Sequence, residues 1–211
     1  MTGVQTCALP ISVRALHVSP GGTLWLGFGG SGGVARIENR SVTAFVTPDG
    51  GAAMGVVTGI IEDGSGTVWA SGSTGLYRLA GSSSTWTRVG AESGLPADNP
   101  VNAFIDSSDA LWVSTANGLY RRPQSAAGPF ERLEPSFDPQ RTLAFSEGPD
   151  NRVWATDPFV GLRALGAGPS LQGSDAGRGF RIIHDRDGNI WVATIGQGLW
   201  RARQAADARR P

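Results

Sequence analysis

Five tryptophans recur at a nearly constant spacing, and this regularity constrains the fold more than any other feature of the chain. They are Trp25, Trp69, Trp112, Trp154 and Trp191, separated by 44, 43, 42 and 37 residues. Each stands in a similar stretch, for example "EDGSGTVWASGSTGLYR" (62–78) and "DRDGNIWVATIGQGLWR" (185–201). A period near 40 residues predicts a series of similar supersecondary units that are buried against one another.

Each unit has the pattern of several short strands. A short apolar stretch precedes a turn rich in Asp, Gly, Ser and Pro, and these residue types favour tight turns. The tryptophan strand follows, and a Gly-bearing turn leads to a third strand such as "GLYRL" (75–79). A weaker fourth strand is predicted at 42–47, 85–90 and 129–134. Four antiparallel strands in a unit of about 40 residues predict the blade of a β-propeller.

The predicted fold class is therefore all-β, a β-propeller fragment of about five four-stranded blades. We place the blades near 13–46, 56–90, 100–134, 141–171 and 179–202. The five tryptophans are assigned a structural role between blades, because a large aromatic side chain fills the space between packed sheets. Residues 203–211 are interpreted as a polar tail or a truncation point.

The opening segment differs from the repeats that follow. "MTGVQTCALPI" (1–11) resembles a translated sequencing adaptor, so we interpret residues 1–12 as a non-native leader. The segment carries Cys7, the only cysteine of the chain, so no disulfide framework is expected. We expect residues 13–202 to be part of a longer protein whose own N-terminus lies elsewhere.

The charge balance disfavours two classes of partner. Eighteen basic residues, all of them Arg, are matched by eighteen acidic residues. Without a field of one sign, neither nucleic acid nor an anionic membrane is an expected partner. No apolar run approaches 18 residues, so direct membrane insertion of this segment is not expected.

No metal or cofactor is expected. The acidic turn residues Asp63, Asp109, Asp150 and Asp187 contribute one or two carboxylates to each turn, whereas calcium takes six to eight oxygens. The glycines lie between strands rather than before a helix, so no phosphate-binding loop is predicted.

One arginine recurs near the same position of every blade. These residues are Arg36, Arg78, Arg121, Arg163 and Arg201. They could form a ring of anion sites, but recurrence in every blade favours a role in stabilising the blades. The fourth blade departs from the pattern, because its first turn reads "PDNR" (149–152) and Arg163 comes one place early.

The repeat "D-x-D/S-G-x-Φ-W-Φ-x-T…G-Φ-Φ-R" resembles the two-component regulator propeller repeat over roughly residues 13–202. The stretch "GLPADNPVNAFID" (94–106) resembles that family's link into the next blade. The resemblance implies a seven-bladed ring in the extracytoplasmic, or periplasmic, sensor region of a histidine kinase. It also implies a full-length homodimer and a small-molecule or oligosaccharide ligand. Nothing of the kinase is present, so this segment is expected not to be an enzyme.

A ligand is expected on the propeller face that carries the links between blades and the turns between second and third strands. Loops on a rigid scaffold are where binding residues concentrate. The candidates from the links are Asp49, Asp98, Asn99, Arg141 and Arg178. The candidates from the turns are Asn117, Asp157, Phe159 and Gln197.

Two alternatives remain open. The turn in "GPDNRVWAT" (148–156) resembles that of streptogramin-lyase-like propeller enzymes, which would require a histidine base. His184 is the only serious candidate for a general base, and a histidine satisfied by local bonds is the simpler interpretation. The chain could also be a scaffold for protein–protein contacts.

Overall fold

A computed structural model shows the fold of the chain. It describes residues 12–30, 32–45, 54–81, 83–96, 100–116, 118–124, 128–133, 144–157, 161–165, 170–172, 179–194, 196 and 198–203. Only the backbone is described at 45, 100–101, 157, 161, 170–172 and 202–203. The residues 1–11, which resemble an adaptor, lie outside the described part.

The described residues form five antiparallel sheets, each built from strands in chain order. The first sheet contains β1 (Val13–Val18), β2 (Leu24–Phe28), β3 (Val34–Glu38) and β4 (Ser41–Phe45). The second contains β5 (Val57–Glu62), β6 (Val68–Gly72), β7 (Gly75–Leu79) and β8 (Thr87–Val89). A short 3-10 helix, Ala91–Ser93, follows the second sheet.

The remaining sheets repeat this order. The third contains β9 (Pro100–Ile105), β10 (Leu111–Thr115), β11 (Gly118–Arg122) and β12 (Glu131–Arg132). The fourth contains β13 (Phe145–Glu147), β14 (Val153–Asp157), β15 (Gly161–Ala164) and β16 (Ser170–Gln172). The fifth contains β17 (Gly179–His184), β18 (Asn189–Thr194) and β19 (Gly198–Arg203).

The sheets are arranged as the blades of a propeller. The first strands of consecutive sheets contact one another in the order β1, β5, β9, β13 and β17. Each sheet then extends outward through its second and third strands and, in the first four sheets, through a fourth, with every neighbouring pair antiparallel. The predicted all-β class and the blade architecture are confirmed.

Two of the outer strands, β8 and β12, are shorter than the sequence predicted. The strands expected at 42–47, 85–90 and 129–134 are observed at Ser41–Phe45, Thr87–Val89 and Glu131–Arg132. An outer strand pairs on one side only, so its ends lack the hydrogen bonds that would extend it. In the fifth sheet the described residues form three strands rather than four.

The core lies between the blades. Trp25 packs with Val57 and Trp86 of the second sheet. Trp69 packs with Leu111 and Phe130 of the third. In the same way Trp112 contacts the fourth sheet and Trp154 contacts the fifth. Each tryptophan therefore joins its own blade to the following one, and these four side chains are at most 8% exposed.

The outer faces of the first and fifth sheets are apolar and exposed. Leu16 and Val18 on β1 are 65% and 63% exposed, and Ile183 on β17 and Leu199 on β19 are 62% and 65% exposed. Leu16 pairs with Leu26 in the first sheet, and Ile60 pairs with Ala70 at the equivalent position of the second sheet. Ile60 is buried between blades, whereas Leu16 is exposed. These apolar side chains resemble those buried between blades, but no described residue covers them.

Candidate functional site

The links and the turns between second and third strands meet on one face of the propeller. Ser73, in the turn after β6, donates its backbone N–H to the carbonyl of Val56, which precedes β5, at 2.9 Å. Gly32, before β3, lies so close to the next link that a Cβ atom would be 1.7 Å from the Gly55 carbonyl oxygen. Gly32 also has a φ of 72°, so a side chain there would be strained as well as blocked.

The nine predicted ligand-binding residues belong to these links and turns in the sequence. Eight of them lie outside the described residues: Asp49, Asp98, Asn99, Asn117, Arg141, Phe159, Arg178 and Gln197. The ninth, Asp157, ends β14, and only its backbone is described. The site prediction on this face therefore stays a prediction.

The opposite face carries the turns between first and second strands, where a carboxylate binds each of three tryptophans. The indole Nε1 of Trp69 donates to Asp63 at 2.8 Å, and that of Trp112 donates to Asp106 at 2.7 Å. Trp191 donates to Asp185 at 2.7 Å. The aspartate stands six residues before the tryptophan each time, a spacing that the sequence interpretation missed.

These carboxylates also close their turns. Asp106 Oδ1 accepts hydrogen bonds from the backbone N–H and hydroxyl of Ser108 and from the N–H of Ala110, at 2.6 to 2.9 Å. Burial opposes ionisation of Asp106, but these bonds and the Trp112 indole outweigh it and lower its pKa. The Trp191 indole and the Asn189 amide lower the pKa of Asp185 to about 2.

Two blades lack this aspartate. In the first, Ser19 takes its place and accepts from Trp25 at 3.0 Å. In the fourth, Gly148 takes its place, and the buried Nε1 of Trp154 has no hydrogen-bond partner among the described residues. A Cβ atom on Gly148 would approach His184 Nε2 at 3.2 Å, so the fifth blade fills part of this space.

Three of the five recurring arginines stack on the tryptophan of their own blade. Arg36, Arg121 and Arg201 lie opposite their own blade's tryptophan in the strand register, with guanidinium carbons 5.8, 5.1 and 5.7 Å from the ring centroids. In the fourth blade Arg163 pairs with Ala155 instead of Trp154, as the shifted sequence suggests. This geometry supports a stabilising role within the blades.

A further arginine is buried between blades. Arg122 is 3% exposed, and its guanidinium lies 4.9 Å from the Trp69 ring centroid and 5.0 Å from that of Phe130. Burial and the nearby charge of Arg78 lower its pKa, while Asp63 opposes the shift. The position corresponds to Leu79 of the second sheet, so sequence periodicity predicts an apolar residue there.

Both histidines contact a neighbouring blade. His17 Nε2 lies 3.4 Å from Glu62 of the second sheet. His184 Nδ1 lies 2.8 Å from the Ser146 hydroxyl of the fourth sheet, and its ring is 6.3 Å from that of Trp154. Burial lowers the pKa of His184, although the carboxylates of Asp150 and Asp185 oppose the shift.

The lowered pKa of His184 predicts a loss of stability in mild acid. Because the folded protein binds this proton less readily than the unfolded chain, the free energy of unfolding should fall as the pH drops below about 6.5. Replacing His184 by Gln should flatten this slope in urea unfolding followed between pH 5 and 8. An unchanged slope in His184→Gln would contradict the assignment.

Within the described ranges, no group of three or more His, Cys, Asp or Glu residues is placed to hold a metal ion. No helix in the described part of the chain is long and apolar enough to cross a membrane.

Comparison with known proteins identifies the fold. No protein-family model and no curated protein sequence matches the chain. The extracellular domain of BT4673, a candidate one-component system of Bacteroides thetaiotaomicron, matches with a TM-score of 0.75 and 18% identity over 94% of this chain. That of BT3049, a candidate hybrid two-component system of the same organism, matches with a TM-score of 0.72 and 14% identity over 94%.

The chain spans 28% of the length of each of these two structures. A catalytically inactive variant of virginiamycin B lyase from Staphylococcus aureus matches with a TM-score of 0.68 and 15% identity, over 93% of this chain and 71% of the lyase. Likeness at such identities establishes architecture rather than activity. The chain has the β-propeller fold.

Proposed function

We propose that this chain is a non-catalytic, ligand-sensing part of a seven-bladed propeller in the extracytoplasmic, or periplasmic, region of a two-component signalling receptor. The ligand is a small molecule or an oligosaccharide bound on the face with the links between blades. The whole receptor acts as a homodimer that transmits binding across the membrane.

The single observation that carries the proposal is that repeated structural residues lie on one face of the propeller and variable links lie on the other. The repeated aspartates, tryptophans and arginines bind one another within and between blades, so they form the scaffold. The links on the other face differ from blade to blade in sequence and length, as expected of residues that recognise a ligand. The structural likeness to extracellular domains of signalling proteins supports the same interpretation.

A binding screen tests this proposal. We expect at least one compound in a panel of oligosaccharides to raise the melting temperature and to give a saturable isotherm by calorimetry. Phe159→Ala and Arg141→Ala, at two of the positions predicted to bind the ligand, should weaken that binding. Asp187→Ala, an exposed change on the opposite face, should leave it unchanged. A panel without any binder, or equal losses in all three variants, would contradict the proposal.

A lyase is the second candidate function, because the structural match to virginiamycin B lyase covers most of both chains. The position of His184 argues against a lyase, since this histidine packs between two blades and is hydrogen-bonded to Ser146. Activity on a streptogramin antibiotic that disappears in His184→Ala and persists in His17→Ala would favour the lyase. Absence of turnover in the unmodified chain would favour the sensor.

A further inference from the structure

A cleft of about 600 Å³ opens between the third and fourth blades, on the face opposite the links. Its apolar wall is formed by Leu133, Val153 and Leu165, and Trp112 lies at its base. Two arginines, Arg121 and Arg152, also line it. This volume falls within the range of pockets that hold small organic molecules.

The residue before the fourth strand is aromatic in the second and third sheets, and it packs on the tryptophan of the preceding blade. The residue before the fourth strand is Trp86 in the second sheet, where its ring packs edge-on against Trp25 at 6.0 Å between centroids. It is Phe130 in the third sheet, where it packs in the cluster around Trp69. Around Trp112 the described residues of the fourth blade include Phe145, Val153 and Leu165 instead.

One arginine of the cleft forms no ion pair with a carboxylate of the described residues. The Arg121 guanidinium lies 5.1 Å over the Trp112 ring, and its buried Nε has no hydrogen-bond partner in the described part of the chain. Its counterpart Arg36 over Trp25 has Glu38 within 3.9 Å. A guanidinium stacked on an aromatic ring and lacking a carboxylate is ready to bind one.

Three carboxylates around the cleft are engaged elsewhere. Asp106 accepts from Trp112, Ser108 and Ala110. Both oxygens of Glu147 accept from Ser107, at 2.7 and 2.6 Å. Asp150 lies 3.5 Å from Arg152. Glu131 lies opposite Arg121 in the strand register, but its exposed side chain forms no ion pair with Arg121. Arg121 therefore remains available to the carboxylate of a ligand.

We propose that this cleft is a second binding site, specific for a small organic carboxylic acid. The carboxylate of the ligand binds Arg121, with Arg152 at the rim, and its apolar part packs on Val153, Leu133 and Leu165. The site is independent of the ligand proposed for the link face, because the two lie at opposite ends of the blades.

Titration with matched acid and amide probes tests the site. Benzoate, cyclohexanecarboxylate and hexanoate are added to the ¹⁵N-labelled chain, and the tryptophan indole signals are followed by NMR. Benzamide has the shape of benzoate without its charge. We expect saturable shifts of the Trp112 indole with at least one acid and not with benzamide.

Variants locate the carboxylate. Arg121→Gln should raise the dissociation constant of the acid about tenfold or more, as loss of a charge-assisted hydrogen bond predicts. Arg36→Gln, at the same repeat position of the first blade, should not change it. Leu165→Trp keeps Arg121 and fills the cleft, so it should abolish binding even where Arg121→Gln proves unstable by circular dichroism.

Three results would overturn the proposal. They are equal binding of benzoate and benzamide, an unchanged affinity in folded Arg121→Gln or Leu165→Trp, and no saturable shift with any of the three acids. Each of these outcomes leaves the oligosaccharide screen unaffected, so the two proposals fail separately.

Discussion

Replacing Trp69 by alanine should lower the free energy of unfolding by about 3–5 kcal/mol, the usual cost of removing a large buried aromatic side chain. Trp69 is 1% exposed and packs between the second and third blades against Leu111 and Phe130. Its loss leaves a cavity, removes the surface on which Arg122 stacks and deprives Asp63 of an indole donor. Urea unfolding followed by circular dichroism measures the change.

Trp191→Ala is the matched control for this prediction. Trp191 has the same repeat position and the same indole bond to an aspartate, but its ring lies on the open face of the fifth sheet beside Leu199. Because little packing covers it, its removal should cost distinctly less than the removal of Trp69. Equal losses would show that the hydrogen bond, rather than burial between blades, determines the stability.

Asp106→Ala should cost about 2–4 kcal/mol, because each buried donor left without an acceptor costs about 1–3 kcal/mol. The Trp112 indole and the Ala110 N–H both lose their acceptor, and the turn loses its bonds to Ser108. Chemical unfolding at neutral pH measures the change. The exposed substitution Asp187→Ala should be nearly neutral and serves as the control.

The same carboxylate contributes to acid sensitivity. The pKa of Asp106 in the folded protein lies below the ordinary 3.8. The contribution of this carboxylate to the free energy of unfolding is therefore complete above pH 3.8 and is lost as the pH falls through the pKa of the folded protein. The Asp106→Ala variant should therefore lose less stability than the unmodified chain when the pH is lowered from 5 to 3. A parallel loss in both proteins would contradict this role for Asp106.

The repeat was predictable because its signals are local. Turn residues before Trp69 and β-branched residues around it indicate a strand after a tight turn, and the period of about 40 residues indicates stacked sheets. The fourth strands were only partly predictable. They pair on one side, so their length depends on the neighbouring strand more than on their own sequence.

The candidate site was less predictable for a different reason. The interblade contacts of His184 with Ser146 and of Glu147 with Ser107 join residues about 40 positions apart, and no local pattern marks them. The six-residue spacing of Asp106 and Trp112 was visible in the sequence, and only the structure shows that it means an indole hydrogen bond. The nine ligand candidates of the link face remain predictions.

The sequence by itself determined the blade, because strand periodicity, turn chemistry and the recurring tryptophan act within a single unit of about 40 residues. Only the tertiary structure decided what lies between blades: that Arg122 occupies a leucine position, that His184 fills the space beside Gly148, and that Arg121 faces an open cleft. The physical reason is that a blade face becomes buried only against its neighbour. Which groups are desolvated, paired or left without a partner therefore depends on two repeats together.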